Sequence, residues 1–279
     1  MAYRTIATVV TDLEAGAATL DSAVALAEGL DAHLDVLCLG LDRTQPAAYY
    51  TGPDMFPVQD MLGDAREEAA AIEEKVRELL ARSGVRHDIA AAGVPMSGLN
   101  GLVAGHVQYA DLAVLARPYG ESRTPEDVSI LEAALFGTGT PVLVLPPGHG
   151  NKAVGGRIVI AWNESPGALS AVRAALPLLQ ASSASWIAVV DPPVHAADRS
   201  DPGGALAQML SRHGVHAEVA VLAKSVPRIS DVLCRFALDM EADMIVMGAY
   251  GHSRLREAIL GGATRNMLQQ AEVPVLMSH

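Results

Sequence analysis

Glycines set between a buried strand and a helix can hold an oxyanion with main chain alone. Residues 243–277 contain such a set: Asp243-Met-Ile-Val-Met247, Gly248-Ala-Tyr-Gly251, nine residues, Gly261-Gly262-Ala263-Thr264, a helical stretch, and Val273-Pro-Val-Leu-Met277. The continuous apolar run at 244–247 fits a parallel strand buried on both faces. Gly248 and Gly251 follow it directly, at the carboxyl end where α/β sheets hold ligands. Gly261 and Gly262 precede a helix whose first amides lack intrahelical partners. Without a Cβ, backbone N–H groups approach an anion closely, and the helix dipole adds attraction. The chemistry is that of a phosphate cradle. Turn geometry also explains each glycine singly, because strand–Gly and Gly–helix junctions are common punctuation.

Side chains around the glycines carry two readings. His252, Ser253, Arg254 and Arg256 fill the spacer, and Arg265 lies just inside the helix. Their charge suits a triphosphate; it equally suits a solvated loop whose arginines pair with Glu257 and other carboxylates. Thr264 either hydrogen-bonds phosphate or caps the helix.

Other chemistries find little support. The chain has no Gly-x-Ser-x-Gly elbow and no Gly-x4-Gly-Lys-Ser/Thr loop. Its nine histidines are scattered without a partner at metal-ligand spacing, so no metal ligands are assigned. No carboxylate pair stands out as an acid–base dyad, and no catalytic residue is assigned.

Composition sets the frame. A chain of 279 residues, half apolar, accommodates two ordinary domains or one large one, with a core that needs neither disulfides nor metals. A net charge of −12 argues against general binding to nucleic acid or anionic membrane. Cys38 and Cys234 fall in or beside apolar periodic segments, as buried free thiols of a reducing compartment would. The first residues run straight into a strand with no signal-peptide pattern, and no apolar run approaches a membrane span. A soluble, cytoplasmic protein is expected.

The elements that must position the glycines alternate. Strands are read at 5–10, 34–39, 87–92, 111–116 and 141–145, with helices at 17–30, 64–83 and 98–110. Residues 43–63, rich in Pro, Gly and Tyr, read as an irregular excursion. Pro146 to Gly156 reads as a linker, after which the sequence of elements repeats. Strands follow at 158–162, 186–190, 216–223, 243–247 and 273–277. The helices between them carry apolar faces: Leu169, Val172, Leu176 and Leu179; the stretch 204–213; and Ile229, Val232, Leu233, Phe236, Ala237 and Met240. Asp-Leu-Ala-Val-Leu at 111–115 answers Asp-Met-Ile-Val-Met at 243–247, and Pro-Val-Leu-Val-Leu at 141–145 answers Pro-Val-Leu-Met at 274–277. The halves read as a tandem duplication. Alternating strands and helices imply right-handed crossovers and a parallel, doubly wound sheet in each half.

The order and spacing of these glycines, the helix after them and the Pro-Val-Leu final strand resemble the nucleotide-binding signature of the universal stress protein family. The resemblance to its tandem members covers nearly the whole chain. It implies two Rossmann-like α/β domains, 1–148 and 157–279, joined by a linker at 149–156. Each would hold a five-stranded parallel sheet, the two related by a pseudo-twofold axis through their last strands. It implies an adenine nucleotide, ATP with accompanying Mg²⁺, held in the second domain by Ala161, Asn163, Val189, Gly248, Gly251, His252, Arg254, Gly261, Gly262, Ala263 and Thr264. The backbone of Ala161 and Val189 would flank adenine. At the end of strand one, where the family typically carries Asp, the first half has Asp12 and the second Asn163. Asn163 can read a base edge without charge, or serve helix capping before Pro166. Gly262 stands where the family's ATP binders usually carry Ser, Thr or Asn. In the first half Ala116-Arg-Pro-Tyr-Gly120 replaces Gly248-Ala-Tyr-Gly251. No glycine pair follows at the required distance, and Gly137 lies too close to the last strand to start the preceding helix; that site reads as degenerate. The function implied is stress-associated regulation through nucleotide occupancy, with at most slow hydrolysis. A homodimer of tandem chains is compatible with it. The alternative is an interaction protein without nucleotide, meeting a protein partner through surfaces such as the aromatic and proline-rich stretch 49–56.

Overall fold

The structure, a computed structural model, describes residues 2–43, 58–121, 123–192, 201–249 and 262–279. It divides into two compact units, the first comprising Tyr3–Leu115 and Thr124–Thr140, the second mainly Ala116–Arg123 and Pro141–His279.

In the first unit the strands are β1 (Thr5–Val10), β2 (His33–Asp42), β3 (Arg86–Pro95) and β4 (Leu112–Ala116), in the order β3-β2-β1-β4. All pair in parallel. Their helices are α1 (Leu13–Leu30), α2 (Val58–Leu80), α3 (Leu99–Val107) and α4 (Pro125–Gly137), with a 3-10 turn at Met96–Gly98. Asp12 ends the first strand and caps α1, accepting from the Glu14 amide. α2 begins six residues before the expected helix at 64–83, inside the stretch read as an irregular excursion, and runs through Gly63, which a helix tolerates at a cost of about 1 kcal/mol. Sequence periodicity missed α4. Its start is a capping box in which the Thr124 amide donates to Asp127 Oδ2 over 2.8 Å, and Pro125 stands in its first turn.

The second unit holds β5 (Val142–Leu145), β6 (Arg157–Ala161), β7 (Ala184–Val190), β8 (Glu218–Leu222), β9 (Met244–Gly248) and β10 (Val275–Ser278). Their order is β5-β10-β9-β6-β7-β8. As the resemblance implied, the last strands of the two repeats pair: β10 lies antiparallel to β5, with Leu276 opposite Leu143. The remaining pairings are parallel. The helices are α5 (Pro166–Ala174), α6 (Leu176–Ala181), α7 (Gly204–Arg212), α8 (Ile229–Asp239) and α9 (Gly262–Gln270). The helix read as continuous across Leu169–Leu179 is divided between α5 and α6, because Pro177 cannot donate to the preceding turn. Ala168, Ala171, Val172, Leu178 and Leu179 are buried, and Leu169 and Leu176 only half-buried.

The repeated Asp has a structural role. Asp111, just before β4, accepts the backbone amides of Arg4 and Thr5 at the start of β1, at 2.7 and 3.0 Å. Asp243, just before β9, accepts those of Gly155, Gly156 and Arg157 at 3.0–3.1 Å. Each carboxylate ties the head of its repeat's first strand to the head of its fourth. Among the described residues no helix is long and apolar enough to cross a membrane. Both cysteines are free; Cys38 is buried, while Cys234 is only half-buried and contacts Met267 Sδ at 3.6 Å.

Candidate functional site

In the second unit, strand order reverses at β6, which lies between β7 and β9. Crevices at such switch points, outside the carboxyl ends of the strands, are where open α/β sheets take ligands. Register brings three residues of the sequence-derived set to this point. Ala161 pairs with Ala188 on one side and Met247 on the other. Val189 and Gly248 each come one position further along their strands. Val189 is buried; Ala161 and Gly248 are half-buried.

Asn163 stands just beyond β6, exposed, and its Oδ1 accepts the Ser165 amide at 3.2 Å. Capping of α5 falls to Ser165, whose Oγ accepts the Ala168 amide at 3.1 Å. Asn163 therefore shapes the turn into α5 and is not its cap. Gly248 has a packing reason to be glycine: a Cβ there would lie 2.5 Å from the Ala168 amide nitrogen. The first turn of α5 crosses the end of β9 at a distance only glycine permits.

Gly251, His252, Arg254 and Gly261 lie outside the described residues. Beyond them, Gly262 and Ala263 open α9 and are exposed, whereas Thr264 is buried on the stripe it shares with Met267 and Leu268. A Cβ at Gly262 would meet nothing within 4 Å. The missing hydroxyl is thus no consequence of crowding. The first turn of α9 carries no acidic residue, so nothing of its own neutralises the helix dipole. α4 is the contrast: Asp127 and Glu126 occupy its first turn, and Glu126 pairs with Arg43 at 3.5 Å. Carboxylates therefore occupy the first turn of α4, where α9 has none.

Sequence reasoning missed what replaces the first-repeat glycines. The Arg117 amide donates to Leu145 O at 2.9 Å, and its guanidinium reaches Gln269 O and Ala271 O, both at 3.4 Å. It is a cation at the negative end of α9. Burial and the nearby Arg123 hold its pKa below the ordinary value. Arg265, grouped from sequence with the phosphate-binding cations, lies over the Tyr119 ring at 5.7 Å. Residues 117–119 thus brace the helix that follows the glycine pair. No local pattern announces this, since the partners lie about 150 residues apart. A separate polar cleft, lined by Ser182, Ser183, Trp186, His216 and Glu218, opens at the amino ends of β7 and β8.

Two α/β units built on parallel strands, with a topological switch point in the second, define a protein of the Rossmann-like α/β class by architecture. Residues 156–279 match the sequence model of the Universal stress protein family. A universal stress protein of Synechocystis sp. is 33% identical over 73 residues, which make up 26% of this chain and 24% of the relative. Among solved structures, a universal stress protein from Archaeoglobus fulgidus DSM 4304 superposes with a TM-score of 0.72 at 14% identity, covering 97% of each chain. A Pseudomonas aeruginosa UCBPP-PA14 protein described as a universal stress protein gives 0.58 at 17% identity, covering 98% of this chain and 92% of its own. The chain is similar to the universal stress protein family, in residues 156–279 by sequence and over nearly its full length by fold alone.

Proposed function

We propose that residues 157–279 bind an adenine nucleotide, ATP with Mg²⁺, and that occupancy rather than turnover is the signal. The observation that carries this reading is the meeting of Ala161, Val189 and Gly248 at the carboxyl ends of three adjacent strands, at the switch point. In this reading, main chain at Ala161 and Val189 flanks the base, Asn163 addresses the nucleoside side, and the start of α9 receives phosphate. Hydrolysis would be slow, because no general base or metal-binding carboxylate is assigned to the site.

Gly262 gives a test that separates binding from folding. Its position is open and needs no left-handed backbone, so Gly262→Asp should fold at least as well as the wild type, a carboxylate being favourable at a helix start. That carboxylate would repel a triphosphate. Calorimetric titration with Mg-ATP should give one equivalent per chain for the wild type and at least about tenfold weaker binding for Gly262→Asp, about 1.4 kcal/mol. Gly262→Ser should bind more tightly, by about 1 kcal/mol for the added hydrogen bond. Equal heats in all three proteins would sink the reading.

A second reading, an interaction protein without nucleotide, draws on Gly248, whose identity helix packing already explains. It expects no heat at millimolar ATP. The stretch 49–56, named from sequence as its surface, lies outside the described residues.

A further inference from the structure

His33 and Asp35 are two residues apart on β2 and so project from one face of the sheet. Asp88 on β3 is the register partner of Asp35. The His33 Nε2 is 3.2 Å from Asp35 Oδ1 and 3.2 Å from Asp88 Oδ2. Donor atoms of all three side chains fall within 4.8 Å of one another. Two carboxylates at paired positions of adjacent strands repel. A neutral imidazole has at most one hydrogen on that nitrogen and cannot donate to both carboxylates at once.

We propose that His33, Asp35 and Asp88 form a binding site for a first-row divalent cation of the Zn²⁺ type. One imidazole nitrogen and two carboxylate oxygens make a three-ligand set for such an ion, with water completing the shell. The ion would replace the proton that His33 alone cannot share, and would neutralise the facing carboxylates. Both strands are rigid elements, so the donors are arranged before the ion arrives. His33 and Asp35 are about one-third exposed and Asp88 87% exposed, which leaves the ion an open path. The surroundings also hold unused polar capacity: His106 of α3 interacts with Asp35, and its Nε2 is buried with no hydrogen-bond partner among the described residues.

Ligand spacing along the chain hid this site. Two donors lie two residues apart, an interval common in any strand, and the third arrives from 53 positions further on through strand register.

The test is calorimetric titration of the chelator-stripped full chain with ZnCl₂, beside the variants His33→Gln and Asp88→Asn. One saturable equivalent is expected for the wild type, weakened about tenfold or more in each variant, since even residues behind the ligands are worth that much. Asp88 is too exposed for its replacement to threaten the fold, so loss in Asp88→Asn cannot be ascribed to misfolding. Absence of a saturable site in the wild type would overturn the proposal. So would Zn²⁺ binding of unchanged affinity in both variants, which would put the ion elsewhere. A test by Zn²⁺ alone also leaves nucleotide binding untouched, and the two proposals stand or fall separately.

Discussion

At the scale of single residues, two carboxylates do what the repeat motif only hinted at. Asp243 accepts three backbone amides at the head of β6, and Asp111 accepts two at the head of β1. These are charge-assisted bonds, and removing the acceptor strands half-buried donors. Asp243→Ala should destabilise the fold by about 2–3 kcal/mol and Asp111→Ala, at a more exposed site, by about 1 kcal/mol. Urea denaturation would rank them; equal, negligible losses would mean that water replaces the carboxylates. The cysteines carry no comparable role: burial, foremost, pushes the Cys38 thiol up to about 12 and Cys234 to about 11. Neither is a reactive thiolate at neutral pH.

At the scale of elements, glycines set how closely helices approach strands. A Cβ at Gly40 on β2 would lie 1.8 Å from the Ala65 carbonyl oxygen of α2, and one at Gly93 on β3 2.5 Å from the Arg66 amide nitrogen. α2 therefore lies on a floor of two glycines, and moving it away would open the buried contacts of Ala65, Ala69 and Ile72. Gly40→Ala should cost about 3 kcal/mol, the upper end for overpacking. Gly262→Ala, in open space, should be neutral or gain about 0.5 kcal/mol from reduced freedom of the unfolded chain. Thermal melts of the two variants give opposite signs if geometry, and not glycine content, is the cause. By the same measure Gly248→Val belongs with Gly40→Ala: it would drive into α5 and report on packing whatever the crevice binds.

At the scale of the whole molecule, pH acts through a buried imidazole. His149 in the linker is 7% exposed, with its Nε2 buried and unpartnered among the described residues. Burial first, then Lys152, holds its pKa below the ordinary value, against the opposite pull of Asp243. The unfolded chain thus takes up this proton before the folded one. The associated stability is whole above the unfolded value, near pH 6.5, and is lost as pH falls through the lowered folded value. Tm of the metal-free protein should be level from pH 8 to 7 and fall below about 6.5. His149→Gln should flatten that part of the slope. A slope identical in the variant would assign the acid limb to other groups.

The sequence alone determined what depends on neighbours within a turn or a pleat. Apolar runs placed eight of the ten described strands within about two residues of their ends, β2 and β3 each running three residues further. The paired Asp and Pro signatures pointed to two similar halves, and the resemblance added the pairing of β5 with β10, which the structure shows to be antiparallel. Local signals failed where chemistry between chain-distant groups decides. Ser165, directly before Pro166, is a local cap signature, whereas the burial of Thr264 beside Met267 and Leu268 shows only in the packed structure. Asp88 met Asp35, and Arg117 the end of α9, only through folding. Periodicity states which face of a strand or helix is apolar; it carries no information on which distant strand comes alongside. Register, and the approach of helix to sheet that Gly40 and Gly248 permit, follow from packing the whole core at once, and tertiary structure alone decides them.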